Sequence, residues 1–144
     1  MGTATSDVFL RILRLADGLN QRMGTALAPY ELTLTQYSAL DALRHAAPNG
    51  LACGEIAERL VARDPDITRL LDRLELRGLV SRSRERPDRR VVRTQITVMG
   101  LQLIRAIDTA VGALHEQHLA PIGKRNLAAL ASLLEAVEAV DTVA

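Results

Sequence analysis

Cysteine is nearly absent from this chain, and Cys53 is the only one. A single cysteine excludes the framework of internal disulfide bonds that stabilises many small secreted domains. No apolar run approaches the roughly 18 residues that a membrane-spanning helix requires. The N-terminal apolar stretch contains charged residues and no small-residue cleavage site follows it, unlike a secretory signal. These absences predict a soluble, cytoplasmic protein.

Motifs of the common enzyme classes are also missing. The sequence has no glycine-rich phosphate loop, zinc-hydrolase signature or nucleophile elbow. His115 and His118 are spaced to share one face of a predicted helix, which would suit two ligands of a metal site. No third ligand clusters with them, so surface or pocket-lining histidines are the simpler interpretation. We predict that the protein is not an enzyme and uses no metal or cofactor.

Lysine occurs once, at Lys124, so arginine carries most of the positive charge. The net charge is only +1, but its distribution is uneven. Residues 61–95 hold ten arginines and six acids, a charge of +4, whereas the remainder has eight basic and eleven acidic residues, a charge of −3. Such a concentration is typical of one face that meets a polyanion. Arginine's planar guanidinium also suits phosphates and guanine edges.

Apolar periodicity predicts a mainly α, α+β protein. Apolar residues spaced by three and four positions predict six helices. These are 6–27 with Ser6 as a cap, 36–46, 54–61, a helix through Ile67 to Leu74 that ends at Gly78, 98–119 capped by Thr97, and 126–140. Steps of two predict strands at 80–84 and 91–96, joined by the polar turn ERPDRR. Two short helices followed by a basic hairpin indicate a winged helix-turn-helix.

The second of these short helices begins in the stretch ARDPDITRLLDRL, residues 62–74. Asp64 fits an N-cap, Pro65 the first helical position, and Asp66 the first turn, where the helix dipole favours an anion. Asp66 could instead accept a hydrogen bond from a cytosine amino group, which would make it a specificity element.

The outer face of the same helix carries Thr68, Arg69 and Arg73. These residues either contact DNA or form a solvated face on which Arg69 pairs with Asp72 three residues later.

The helices at the two ends are more apolar than peripheral helices usually are, particularly residues 6–27 and 126–140. A small helix-turn-helix core is not expected to cover both. A helical dimer interface is therefore predicted.

The sequence resembles the MarR (multiple antibiotic resistance regulator) family. The resemblance rests on three segments, GEIAERL at 54–60, ITRLLDRLELRGLV at 67–80 and PDRRVVRTQIT at 87–97. The third segment has the family's spacing of Asp88, Arg90, Ile96 and Thr97, and Gly100 also fits the family pattern. It implies a homodimeric transcriptional regulator, a repressor, that binds double-stranded DNA at a pseudo-palindromic operator and responds to a small-molecule effector. In this arrangement residues 1–144 form a single MarR-type domain, with dimerisation helices at 6–33 and 98–144 and a DNA-binding lobe at 34–97.

The predicted DNA-binding residues lie on the second helix of the helix-turn-helix, which is the recognition helix, and on the hairpin that follows it, which is the wing. They are Asp64, Pro65, Asp66, Thr68, Arg69, Arg73, Arg84, Arg86, Asp88, Arg89 and Arg90. The resemblance places Asp88 and Arg90 in the structural motif of the wing, where Asp88 holds an arginine in place. Arg86 or Arg89 is expected at the wing tip, with Arg82, Arg84 and Arg93 near phosphates.

Two alternatives remain open at this point. A winged-helix protein-interaction module would share the fold without binding DNA, but it would not need the arginine surplus. Cys53 lies just before a predicted helix. It is either a redox-sensitive thiol or a small, half-buried side chain with a packing role only, and the second is the simpler interpretation. No ligand-binding residue is predicted.

Overall fold

A computed structural model describes residues 2–84 and 91–143. Its helices are α1 (Ala4–Leu27), α2 (Leu34–His45), α3 (Cys53–Arg59), α4 (Ile67–Leu76), α5 (Val98–Leu119) and α6 (Lys124–Val143), and its strands are β1 (Leu51–Ala52), β2 (Val80–Arg84) and β3 (Val92–Ile96). Short 3-10 turns follow α1 at Ala28–Tyr30 and α5 at Ala120–Ile122. The predicted α+β winged helix-turn-helix with additional terminal helices is confirmed.

Local capping sets where the first two helices begin. The hydroxyl of Thr3 accepts a hydrogen bond from the backbone N–H of Ser6 at 3.3 Å, so α1 starts at Ala4 and the predicted cap Ser6 lies inside its first turn. Thr33 and Gln36 form a reciprocal capping box, with distances of 3.2 and 3.0 Å, and α2 therefore starts at Leu34. Both helices begin two residues earlier than periodicity alone predicted.

The sheet is antiparallel, with the strand order β1-β3-β2. β2 and β3 form the predicted hairpin, in which Val80 lies opposite Ile96 and Arg84 opposite Val92. β1 was not predicted, because two residues are too few for an alternating pattern to be recognised. Its pairing of Leu51 with Thr94 joins the sheet to the start of α3.

Gly78 ends α4, as predicted, with a positive φ of 74°. The N–H of Leu79 donates to the carbonyl of Leu74 at 3.0 Å and that of Gly78 to the carbonyl of Glu75 at 2.9 Å, which is the Schellman pattern. The chain then turns directly into β2. Gly100 packs against this turn so closely that a Cβ atom would collide with the carbonyl oxygen of Leu79.

The chain forms two compact units, one ending at Asp108 and the other beginning at Thr109. The first contains the helix-turn-helix, the sheet and most of the buried side chains. Its largest fully buried side chains are Leu27, Leu40, Leu43, Ile56, Leu71, Leu74, Thr94, Ile104 and Ile107. The second contains the C-terminal part of α5 and all of α6. In the described part of the chain, no helix is both long and apolar enough to span a bilayer.

Candidate nucleic-acid interface

Two aspartates shape the N-terminal end of α4, in a way that differs from the predicted one. Asp66 is the N-cap, because its Oδ1 accepts a hydrogen bond from the backbone N–H of Arg69 at 3.0 Å. Asp64 instead accepts from the N–H of Asp66 at 2.8 Å, a turn that encloses Pro65. The predictions that Asp64 is the N-cap, that Pro65 is the first helical residue and that Asp66 lies inside the first turn are therefore wrong. A side-chain turn at Asp64 competes with helix formation and delays the helix to Ile67.

This geometry assigns Asp66 a capping role. One carboxylate oxygen is committed to the helix terminus, where the dipole also favours its charge. Contact between Asp66 and a cytosine amino group stays a prediction.

The inner and outer faces of α4 are sharply separated. Leu70, Leu71 and Leu74 are buried on the inner face, as the periodicity predicted. Thr68, Arg69 and Arg73 are exposed on the outer one. Among the described residues, neither guanidinium has a hydrogen bond or ion pair that holds it.

Asp72 does not pair with Arg69, which was the alternative interpretation of this helix face. It is 2.5 Å from Nη2 of Arg82 in β2. The same guanidinium lies 3.0 Å from Glu75 Oε1, and the backbone N–H of Arg82 donates to Oε2 of Glu75 at 3.1 Å. Arg82 therefore connects the wing to α4. This arrangement revises its predicted place among the phosphate contacts, since its charge is already matched by two carboxylates.

The hydrogen bond from Arg82 lowers the pKa of the Glu75 carboxyl below its ordinary value. Glu75 thus stays ionised at neutral pH and keeps its attraction for the guanidinium. A side chain of β2 and two side chains of α4 together hold the base of the wing against the recognition helix.

The predicted tip of the wing falls in the stretch 85–90, outside the described residues. Arg86, Asp88, Arg89 and Arg90 all fall outside the described residues, so their predicted roles stay predictions. Arg84, at the end of β2, is exposed. In β3, Arg93 donates a hydrogen bond to the carbonyl of Gly50 at 3.1 Å, which places it at the junction of the sheet and the loop before β1.

The structure adds the first turn of α2 to the surface around the recognition helix. A depression of about 400 Å³ is lined by Thr33, Thr35, Gln36, Asp64, Asp66, Arg69, Leu70 and Arg73. The predicted residues on α4 therefore border the start of another helix. The capping-box spacing of Thr33 and Gln36 was the sequence signal that marks this helix start.

A second depression, of about 390 Å³, lies between α3, α4 and the sheet. Its lining residues are Ala52, Cys53, Gly54, Thr68, Leu71, Arg82, Val91, Val92 and Thr94. Cys53 is half-buried as the first residue of α3, which agrees with a packing role for its side chain. A redox role for its thiol is not tested by this geometry. The Ala52 side chain offers no acceptor to the helix, although Glu55 Oε1 accepts from the N–H of Ala52 at 3.0 Å.

Two of the three histidines contact backbone carbonyl groups of their own helices. Nδ1 of His118 lies 2.9 Å from the carbonyl oxygen of Leu114, and Nδ1 of His45 lies 2.8 Å from that of Asp41. Within residues 2–84 and 91–143, no group of three or more His, Cys, Asp or Glu side chains is arranged to hold a metal ion.

Comparison with known proteins decides the family. The MarR family profile matches residues 32–92, which cover the helix-turn-helix and the start of β3. The crystal structure of a MarR transcription factor from Planctomyces limnophilus is 36% identical, with a TM-score of 0.72 over 94% of this chain and 98% of that one. This chain belongs to the MarR family. It is accordingly a winged-helix transcription regulator, and the predicted family membership is confirmed.

Two further solved structures that are similar to this chain carry bound partners. The transcriptional repressor CouR bound to a 23-mer DNA duplex is 31% identical, with a TM-score of 0.77 over 89% of each chain. CouR from Rhodococcus jostii RHA1 bound to p-coumaroyl-CoA is 25% identical to this chain, with a TM-score of 0.82 over 95% of each chain.

Proposed function

We propose that this MarR-family regulator is a cytoplasmic repressor that binds a pseudo-palindromic operator as a homodimer. The observation that carries the proposal is the outer face of α4, where Arg69 and Arg73 stand exposed beside Thr68 with no partner among the described residues. An exposed arginine fork without an internal partner is suited to a guanine edge or a phosphate. CouR, a relative that is 31% identical, was solved on a DNA duplex.

The recognition helix supplies direct readout in this proposal, and the wing supplies contacts to the backbone or the minor groove. Arg69 and Thr68 lie in the first turns of α4, which is the part that reaches base edges in helix-turn-helix proteins. Arg84 stands at the end of β2, and the sequence predicts Arg86 and Arg89 as further wing contacts.

Homodimerisation is supported by apolar surface on both terminal helices. The side chains of Val8, Phe9, Leu10, Ile12, Leu13 and Leu15 on α1, and of Leu133, Leu134, Val137 and Val140 on α6, are all exposed in the single chain. Monomers rarely leave such runs of apolar side chains in water, and a second copy is the usual partner in a two-fold regulator. We assign residues 6–33 and 98–144 to the dimerisation region and 34–97 to the DNA-binding lobe.

The decisive experiment is DNA binding by the full chain as a function of salt. The affinity for a generic duplex is measured by fluorescence anisotropy between 50 and 200 mM salt. A protein that neutralises about six phosphates loses roughly a thousandfold in affinity over this range. A flat or absent response would instead favour the protein-interaction module.

Selection of bound sequences from random duplex then tests the symmetry. A homodimer is expected to recover two inverted half-sites whose centres are about 10 base pairs apart, one turn of the double helix. Recovery of a single half-site would contradict binding as a two-fold dimer. The sign of regulation follows from a reporter placed downstream of the recovered site, and repression is expected.

A small-molecule effector completes the proposal. Its support is the structure of CouR from Rhodococcus jostii RHA1 with p-coumaroyl-CoA, because that protein shares this fold over 95% of the chain. The test is release of the recovered operator by a panel of phenolic acids and their coenzyme A thioesters. An effector is expected to raise the thermal midpoint of the free protein and to weaken operator binding together, since both effects follow from its preference for one conformation. A panel without any such effect would count against this class of effector.

A further inference from the structure

The C-terminal end of α4 is hydrogen-bonded to the segment that follows α1. Arg77, the C-cap residue of α4, donates from Nη1 to the carbonyl of Glu31 at 2.7 Å and from Nη2 to the carbonyl of Tyr30 at 3.1 Å. These two carbonyl groups stand at the end of the 3-10 turn Ala28–Tyr30. One guanidinium thus connects the recognition helix to the corner between α1 and α2.

This corner has a defined and unusual conformation. Glu31 has a positive φ of 55°, which residues other than glycine adopt only when their surroundings hold them there. The hydroxyl of Tyr30 lies 3.4 Å from the carbonyl oxygen of Ala106 in α5, and Leu32 is buried. Arg77 therefore bonds to a part of the fold that is itself fixed.

The two ends of α4 are held in different ways. At the C-terminal end, Arg77 reaches the corner after α1, and the Thr97 hydroxyl before α5 donates to the carbonyl of Gly78 at 2.6 Å. At the N-terminal end, the capping bonds of Asp64 and Asp66 stay within the same short stretch of chain. The direction in which the exposed N-terminal turn points is consequently determined by contacts at the opposite end and by the buried leucines.

We propose that Arg77 is a positioning residue, which couples the end of α1 to the tilt of α4 and so selects the spacing of half-sites that a dimer accepts. The inference rests on the proposed function, because it requires two recognition helices on one operator. A helix of ten residues is about 15 Å long, so a tilt of about 13° around its C-terminal end moves its N-terminal end by about 3.4 Å, one base-pair step. A small change of tilt therefore moves the reading end of the helix by as much as one base pair lengthens the site.

The test compares Arg77→Ala with the unchanged protein on the selected operator and on duplexes with one base pair inserted or deleted between the half-sites. The unchanged protein is expected to discriminate strongly against the altered spacings. Arg77→Ala is expected to bind the natural spacing about threefold to tenfold more weakly and the altered spacings almost as before. The ratio between spacings is the decisive readout, since an unfolded fraction would weaken binding to every duplex equally.

Two further variants keep the result interpretable. Arg77→Lys retains the charge but reaches the carbonyl groups from a single nitrogen, and an intermediate spacing ratio is expected. Should Arg77→Ala fail to fold, Arg77→Lys carries the test. Arg59→Ala removes one exposed arginine of α3, which lies outside the proposed dimerisation region and is not one of the proposed DNA contacts, and it should leave the spacing ratio unchanged.

The salt dependence separates a positioning role from a direct phosphate contact. A positioning residue leaves the slope of log affinity against log salt unchanged, whereas loss of a phosphate contact lowers it by about one per site. An unchanged spacing ratio, or a reduced slope without a change in that ratio, would overturn the inference while leaving DNA binding intact. If the unchanged protein fails to bind duplex in a salt-dependent way, the proposed function and this inference fall together.

Discussion

Arg82 and Glu75 are joined twice, once through their side chains at 3.0 Å and once through the backbone N–H of Arg82 at 3.1 Å. Glu75 belongs to the last turn of α4, and Arg82 is the central residue of β2. This relationship matters for function because the recognition helix and the wing contact the same DNA in a winged helix-turn-helix. Their relative orientation is therefore partly set by an ion pair.

Removing the Glu75 charge is expected to destabilise the fold at neutral pH and to matter less in acid. The folded pKa of Glu75 is lowered, first by the hydrogen bond from Arg82, so its stabilising contribution is fully present above the unfolded carboxylate pKa of about 4.3. The contribution is lost as pH falls through the lower folded pKa. Urea unfolding of Glu75→Gln should show a loss below about 1 kcal/mol at pH 7.

The control for this prediction is Glu58→Gln, because Glu58 is an exposed residue of α3 that makes no hydrogen bond or ion pair with the other described residues. It should unfold like the unchanged protein at both pH values. A Glu75→Gln effect of equal size at pH 7 and pH 3 would contradict the assignment of its stabilising role to the ionised carboxylate.

Asp66 is predicted to act through the helix terminus. Asp66→Ala removes the acceptor for the N–H of Arg69 and should cost about 1 kcal/mol in the free energy of unfolding. Asp66→Ser and Asp66→Asn keep an acceptor there and should retain most of the stability. Both also remove a negative charge from the proposed DNA-binding face, so binding to generic duplex should become tighter.

Sequence selection distinguishes the cap from a base-reading role. With capping alone, the sequences recovered by Asp66→Ser should match those of the unchanged protein. Loss of preference for a single C·G pair in that selection would assign Asp66 the cytosine contact instead.

Most of the recognition helix could be predicted from the sequence, because its apolar residues recur with a helical period and Gly78 ends it. The position of its N-cap could not, since Asp64 and Asp66 both fit an N-cap and only local geometry decides between them. Periodicity could not predict that Arg82 pairs with Asp72 either. The two residues are ten positions apart in the sequence, and the turn at Gly78 and the direction of β2 bring their side chains together.

Dimerisation through the terminal helices should be sensitive to charge placed on their apolar faces. Phe9 on α1 and Leu133 on α6 are 63% and 65% exposed in the single chain, so replacing either by glutamate should not disturb a monomer core. In a dimer interface the same change buries an unpaired charge, which is strongly unfavourable. Sedimentation velocity should show a dimer for the unchanged protein and a monomer for Phe9→Glu and Leu133→Glu.

The matched control is Leu76→Glu, because Leu76 on α4 is 89% exposed and lies outside the proposed dimerisation region. This variant should remain dimeric. Dimers of undiminished stability in Phe9→Glu and Leu133→Glu would place the interface elsewhere.

Arg69 is expected to read sequence, and Arg86 on the wing to supply sequence-independent affinity. If Arg69 contacts a base edge, Arg69→Ala should lose about 1–3 kcal/mol on the selected operator and much less on generic duplex, so its specificity ratio falls. Arg86→Ala should weaken binding to both kinds of duplex by a similar factor and reduce the salt slope. Titrations of both variants on both duplexes over a salt series measure these quantities. Equal losses on operator and generic duplex for Arg69→Ala would make Arg69 a phosphate contact, and the exposed outer face of α4 would then serve affinity rather than recognition.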